Sequence, residues 1–429
     1  MSLWSHLEKT YDCMAIIDSN EGNRHLRRWN NRISMGSFMP FSSAVSQKAV
    51  AADALSEIVA QLDPAVTQSP DLVVYFFTQD HARHAESLLQ AIKEVLLPAH
   101  IIGCVAEAVV GTGQEIEEAP ALSLFAGKWT ADKKIHFETF ELTVAITSEG
   151  KSLLGWPDGL VGGPTQSGGM ILLGDPLTCP VDYFLKQVNE DFPGLTVVGG
   201  MASGSRGQGG CRLVSDRGVV RSGAVGVLLG GDVGMRTVVS QGCRPVGQPM
   251  IVTRSEGNII HELGGKKPIQ QLQEMWRQLP ASEQRLFEKG LHLGIVVNEY
   301  AGEFRQGDFL IRNCGFVKET GALVVGDQIR TGQTVQFQVR DAESADLELR
   351  GLLEGDKKHH KKMPGGALMF TCNGRGKRFF TDSSHDAQCV ESLMGRVPMA
   401  GFFAQGELGP VGGQNYIHGF TASMAFFDE

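Results

Sequence analysis

The sequence predicts an α/β protein, more closely an α+β layered sandwich, in which strand–helix–strand–strand units repeat in mixed, largely buried sheets divided between two lobes. Three observations predict it. Apolar runs such as "DLVVYFFTQD" (71–80) continue without polar alternation, the pattern of strands buried on both faces. Between such runs lie stretches whose apolar residues recur at helical spacing, as Leu88, Ile92 and Val95 do in "HAESLLQAIKEVL" (84–96). The same order of elements, broken each time at Gly-x-x-Ala, occurs three times along the chain.

The first copy continues through "AHIIGCVAE" (99–107) and "PALSLFAG" (120–127). The second reads "GMILLGDPL" (169–177), "PVDYFLKQVNEDF" (180–192), "LTVVGGMASG" (195–204) and "GAVGVLLGG" (223–231). The third reads "GALMFTCNGRG" (366–376), "HDAQCVESLMG" (385–395), "PMAGFFAQGELG" (398–409) and "IHGFTASMAFF" (417–427). A strand–helix–strand connection of this length implies a parallel pair with a right-handed crossover, and the last strand returns antiparallel. The gap between the second and third copies has room for a degenerate fourth near 268, with "KPIQQLQEMWRQL" as helix and "LHLGIVVNEY" as strand. Around it, "QPMIVTRSEGNIIHEL" (248–263), "DFLIRNCGFVKETGALVVGD" (308–327) and "TVQFQVRDAESADLELRGLLE" (334–354) read as short strands with Gly-containing turns and a helix from Asp341. A boundary at Pro245 to Pro249 divides the chain into lobes of 40–244 and 245–429, while residues 1–39, polar and poorly periodic, are expected to be a loosely packed arm or an over-extended start.

Composition narrows the function. A net charge of −9 and a pI near 5.8 argue against a dedicated nucleic-acid or anionic-membrane binder, and "DKKHHKK" (356–362) reads as a solvated run. Eight cysteines without a Cys-x-x-Cys pair fit neither a disulfide scaffold nor a zinc site and suit a reducing cytoplasm. No basic-then-apolar leader opens the chain, and nowhere do about 18 apolar residues run together. P-loop, nucleophile-elbow, zincin and EF-hand spacings do not occur, the histidines show no ligand spacing, and neither metal nor cofactor is expected. "GSRGQGG" (204–210) reads either as an anion cradle or as a glycine-rich hairpin loop.

In a parallel strand–helix–strand sheet, ligands sit at the carboxyl ends of the strands, where glycine lets backbone approach closely. The breaks therefore nominate Gly199 and Gly200 as backbone contacts, and Cys104, Glu107, Ser203 and Glu407 as side chains beside them. The densest stretch is "MFTCNGRG" (369–376), where Cys372, Asn373 and Arg375 end a buried strand. The Arg375 guanidinium suits a carboxylate or phosphate, or else an internal ion pair that fixes the turn. An acidic residue beside it would complete a seat for an amino acid or another small anionic or zwitterionic ligand. The alternative is an enzyme, a hydrolase or transferase using Cys372, activated by His385 or His418, or Glu407 in the cleft between the lobes.

With "MFTCNGRG", "PMAGFFAQGELGPVGG", "IHGFTA" and "IIGCVAEAVVGTGQEIE" in view, the chain resembles the FIST family, named for F-box and intracellular signal transduction proteins. The likeness runs from about residue 40 to the end, with 40–244 similar to the FIST N domain and 245–429 to the FIST C domain. It implies a sensory module for small molecules such as amino acids, which family members join to signalling outputs or to an F-box. No methyl-accepting, cyclase, kinase or F-box segment lies outside the two lobes, so the resemblance implies action through a signalling protein partner.

Overall fold

Each repeat begins with a strand that the sequence does not mark as part of it, and each sends one hairpin into a neighbour's sheet. In the computed structural model of the protein, the described residues are 40–130, 132–147, 150–160, 168–205 and 207–428, so the arm expected at 1–39 lies outside them. The first unit comprises β1 (Phe41–Ser46), α1 (Ala51–Gln61), β2 (Leu72–Thr78), α2 (Ala85–Leu96), β3 (His100–Ala106), the hairpin β4 (Val109–Gly111) and β5 (Gln114–Ile116), and β6 (Leu122–Gly127). The second comprises β7 (Ile135–Thr147), β8 (Gly150–Leu154), β9 (Gly169–Gly174), α3 (Val181–Asp191), β10 (Thr196–Met201), the hairpin β11 (Leu213–Ser215) and β12 (Gly218–Val220), and β13 (Ala224–Gly231).

The third unit opens with β14 (Met235–Gln241) and is then interrupted by an inserted barrel. The insertion holds β15 (Cys243–Glu256), β16 (Ile259–Leu263), α4 (Pro268–Trp276), α5 (Ala281–Lys289), β17 (Leu291–Val296), β18 (Phe309–Phe316), β19 (Leu323–Val325) and β20 (Thr334–Arg340). The unit resumes with α6 (Ala342–His359), β21 (Gly366–Cys372), α7 (His385–Met394), β22 (Met399–Ala404), the hairpin β23 (Glu407–Val411) and β24 (Gln414–His418), and β25 (Thr421–Phe427).

In all three units the two strands flanking the crossover helix pair in parallel, β2 with β3, β9 with β10 and β21 with β22. The closing strand returns antiparallel beside the first of them, as the order of elements predicts. The hairpins exchange cyclically. That of the first unit extends the third unit's sheet through β22 and β4, that of the second extends the first through β3 and β11, and that of the third extends the second through β10 and β23. The protein is thus a pseudo-threefold ring of three mixed sheets.

The Gly-x-x-Ala breaks are where the chain leaves its own sheet. Gly103, Gly199 and Gly401 lie opposite Tyr75, Leu172 and Met369, and a Cβ at any of them would overlap that partner's carbonyl oxygen. Ala106, Ala202 and Ala404, three residues on, are wholly buried where the crossing chains meet. There the Val105 amide donates to the Arg212 carbonyl, Phe403 to Ala108 and Gln405 to Met201, joining the units in pairs. The inner faces of the sheets share one core in which Phe76, Phe370 and Phe402 meet, with the Phe76 and Phe402 rings 4.9 Å apart. Full burial of each such ring contributes about 1.5–3 kcal/mol. Helices cover the outer faces, the crossover helix α3 over Phe140, Leu172 and Val197, and α6 with the crossover helix α7 over Met369, Phe403 and Met424.

The helix expected at 267–279 forms as α4, with Pro268 in its first turn, but it belongs to the barrel and not to a fourth copy. The strand that follows, β17, pairs antiparallel with β18 and β20. The basic run at 356–362 supplies the last turn of α6, where Lys357, Lys358 and His359 face the negative end of the helix dipole. At the end of the glycine-rich run, Gly209 and Gly210, with Cys211 after them, turn their carbonyls toward a cation, since Arg212 Nη1 donates to all three.

Candidate functional site

The three units deliver their strand ends to one cavity of about 490 Å³. The first contributes Thr78, Asp80 and Glu107 from the ends of β2 and β3, and Glu117 and Glu118 from the return of its exported hairpin. The second contributes Ser203 to Ser205 after β10, and the third contributes Asn373 and Arg378 after β21 and Phe403 from β22.

Hydrogen bonds between units fix the walls. The Ser203 hydroxyl accepts the Glu107 amide at 2.8 Å and donates to the Phe403 carbonyl, so one side chain ties all three units together. Arg378 Nη2 donates to Glu107 Oε1 across the cavity, its Nη1 donates to the Asn373 carbonyl at 3.1 Å, and Asn373 Nδ2 lies 3.4 Å from Glu107 Oε2. Glu117 Oε1 accepts the Lys377 amide at 3.0 Å, which holds the turn after β21 against the exported hairpin. Gly376 has φ +61°, and a Cβ there would collide with Glu117 and Phe403, so this turn needs glycine. Glu118, with φ +58°, is a non-glycine residue held in the left-handed region at the cavity edge.

Among the described residues of the lining, four carboxylates, Asp80, Glu107, Glu117 and Glu118, accompany the guanidinium of Arg378. Such a lining is matched by a ligand that carries a cationic group. The Arg378–Glu107 pair is half exposed, with side-chain accessibilities of 55% and 39%, and screening by solvent leaves it open to exchange for a ligand's charges.

Of the residues nominated from sequence, Glu107, Ser203 and Asn373 line this cavity. The others lie inside the protein. Cys104 is buried in β3, and Gly199 and Gly200 lie within β10, paired with Leu408 and Glu407 of the third unit's hairpin. Arg375 is fully buried, and its Nε and Nη2 each donate to Asp386 at 2.7 Å while Nη1 reaches the Phe420 carbonyl at 3.3 Å. Burial alone would raise the Asp386 carboxyl, but the Arg375 charge and hydrogen bonds overcome it and hold Asp386 well below the ordinary carboxylate range.

Glu407 is wholly buried with Oε2 accepting the Thr421 amide at 3.1 Å, and burial pushes its carboxyl up to about 8. Burial, reinforced by Glu407, pushes the Cys372 thiol up to about 12, so it is held as a neutral thiol against the Gly374 amide at 3.4 Å. The histidines suggested as activators are committed elsewhere, His385 between Asp346 at 2.9 Å and Asp386 at 3.0 Å, and His418 to the Gly409 carbonyl at 2.9 Å. Among the described residues, no group of three or more His, Cys, Asp or Glu side chains is placed to hold a metal ion.

Sequence reasoning missed Asp80, Glu117, Glu118 and Arg378. Arg378 lies three residues beyond Arg375 in the same turn, and a search for the one arginine whose neighbours allow it to reach solvent would have had to weigh both. Glu117 and Glu118 carried no local signal, because their place is set by pairing with a strand almost three hundred residues away.

The FIST N domain family matches residues 71–266 and the FIST C domain family matches residues 270–410. An uncharacterized protein of Mycobacterium tuberculosis is 44% identical over 360 residues, covering 84% of this chain and 91% of the relative. Another from Mycobacterium bovis is 42% identical over 369 residues, covering 85% and 92%. Both domain matches in one chain and alignment over nearly the whole of such relatives establish that the protein belongs to the FIST family, whose domains are associated with signal transduction and small-ligand sensing.

Proposed function

We propose that the protein is a cytoplasmic sensor of a small zwitterionic molecule, an amino acid by preference, and that the ligand occupies the cavity where the three units meet. The observation that carries this reading is the convergence of strand ends from all three units on one polar cavity of about 490 Å³, a size suited to a small molecule. The ligand's ammonium group lies toward Asp80 and Glu117, and its carboxylate takes Arg378, displacing Glu107. Arg378 meets a planar carboxylate with two donors, which an ammonium side chain would not. Because the cavity walls belong to different units, filling it changes how the units are held relative to one another, and a ligand that distinguishes those arrangements shifts their populations. A signalling protein partner reads that shift. Seven unpaired cysteines among the described residues support a reducing compartment, and no helix among them is long and apolar enough to cross a membrane.

The test is a thermal-shift screen with glycine, alanine, glutamate, ethylamine and acetate, followed by calorimetry on whichever raises the melting temperature. Amino acids are expected to bind, ethylamine more weakly and acetate least, and both Asp80→Asn and Arg378→Lys are expected to weaken binding. A panel that leaves melting unchanged, or affinity indifferent to both substitutions, would refute the reading.

A further inference from the structure

The turn that carries Asn373 and Arg378 into the cavity is gripped on its far side by the barrel. Arg340, the last residue of β20, donates from Nη2 to the Gly374 carbonyl at 2.6 Å. Its guanidinium carbon lies 4.4 Å from the ring centroid of Phe379 and 4.8 Å from that of Phe420. Phe379 is the immediate neighbour of Arg378, so adjacent residues of one turn face the two bodies: Arg378 reaches Glu107 across the cavity, and Phe379 stacks on the barrel's arginine. Beyond Phe420 the stack continues to His292 on β17, whose ring lies 4.3 Å away. β20 is itself locked into the barrel core through Val335, Phe337 and Val339, the residues alternate to Gln336, Gln338 and Arg340.

Phe420 adds a second observation. It is a bulky residue with φ +66°, a conformation that persists only when its surroundings over-determine it. Those surroundings are Arg340 and His292 on its ring, and on its carbonyl the Gly242 amide at 2.9 Å and Arg375 Nη1 at 3.3 Å. Gly242 joins β14 to the barrel, so the strained residue sits at the junction where the insertion leaves the third unit. Packed junctions of this kind have discrete arrangements and do not deform continuously.

We propose that Arg340 is the positioning residue through which the cavity and the barrel are coupled. It fixes the turn 373–379, and release of Arg378 from Glu107 passes through Phe379 and Arg340 to β20 and β17, which makes the barrel the element that reports on the cavity. The inference rests on the proposed sensory role only for what displaces Arg378, and its test needs no ligand.

That test is amide hydrogen exchange, read by mass spectrometry on the full chain, for the wild type, Glu107→Gln, Arg340→Lys and the double variant. Glu107→Gln removes the charge that holds Arg378 without changing side-chain size. It is expected to speed exchange in residues 373–380 and, through the stack, in β20 and β17 by about threefold or more, with β13 of the second unit unchanged. In the Arg340→Lys background the effect on 373–380 persists and the effect on β20 and β17 disappears, a non-additivity that a merely structural arginine would not produce. Should Arg340→Lys fold poorly, Phe379→Leu removes one ring of the stack and carries the same expectation. The coupling is overturned if Glu107→Gln leaves β20 and β17 unchanged, whether or not the turn loosens, or if its effect there survives undiminished in both backgrounds. A ligand screen that finds nothing would leave this result standing, and a failed exchange experiment would leave the ligand question where it was.

Discussion

Replacing Arg375 separates an internal ion pair from a ligand seat. Its guanidinium makes two charge-assisted hydrogen bonds to Asp386 at 2.7 Å, each contributing about 1.5–3 kcal/mol, and a longer third to the Phe420 carbonyl. Both partners are shielded, with side-chain accessibilities of 0% and 2%. Breaking a pair so buried costs about 3–5 kcal/mol, because the surviving charge is left without its counterion. Asp386 keeps the Thr371 hydroxyl at 2.8 Å and His385 Nδ1 at 3.0 Å, which places the expected loss for Arg375→Ala near the lower end, about 3 kcal/mol. Arg375→Lys keeps one contact to the carboxylate and is expected to lose about 2 kcal/mol. Adding Asp386→Asn to Arg375→Ala removes the stranded charge and should recover part of the loss. The assay is denaturant unfolding of the unliganded protein beside calorimetric titration with the best amino acid of the screen. Arg375→Ala within about 0.5 kcal/mol of wild type would refute the argument. Affinity lost at unchanged stability would move the ligand to Arg375 itself.

Glu407 carries a pH signature. Its folded pKa of about 8 lies above its unfolded value, so the folded state holds a proton that the unfolded state has released, and stability falls as pH rises from about 4.5 to 8. Glu407→Gln should flatten unfolding free energy measured between pH 5 and 8, removing a slope of at most about 1.4 kcal/mol per pH unit, and parallel curves for the two proteins would refute it. Gly401→Ala is expected to cost about 1–3 kcal/mol in denaturant unfolding, since its Cβ would overlap the Met369 carbonyl oxygen, and a neutral result would sink the chain-crossing account of the break. Gly351→Ala, in the exposed middle of α6 with nothing within 4 Å of the new methyl group, should instead stabilise by about 0.5–1 kcal/mol, and a loss would show that helix to be held differently.

The parts of the fold legible in the sequence were those whose cause is local. β2, β9 and β21 announce themselves as unbroken apolar runs because they are central strands covered on both faces, and α2 shows its stripe because one side meets the core. The exported hairpins leave no such trace. β4 is only "VVG" and β11 only "LVS", and each pairs with a strand of another unit, β22 and β3, so neither length nor alternation distinguishes them from loops. The degenerate fourth copy failed for a related reason. "LHLGIVV" is apolar enough for a central parallel strand, but its length and composition also suit a barrel wall, and only the pairing of β17 with β18 and β20 decides.

The strand ends nominated from sequence are those that line the cavity, while several of the side chains nominated there, Cys104, Cys372, Arg375 and Glu407, are buried. Cys-Asn-Gly-Arg-Gly looked like a seat because an arginine between glycines is free to meet an anion, and it does meet one: Asp386, eleven residues along on α7. The motif concentrates polar residues in order to hold the turn, and the turn's position is what brings Asn373 and Arg378 to the cavity. Glu407 tells the same story from the other direction. It opens β23, the strand that enters the second unit's sheet opposite Gly200, and its Oε2 receives the Thr421 amide at the start of β25. A carboxyl buried at such a crossing has to be neutral or strongly bonded to be tolerated, and its raised pKa follows from that position alone. The densest motif of the chain therefore marks where three polypeptide segments cross, and the cavity-lining residues stand one turn further out, where the crossing leaves a space that no unit fills by itself.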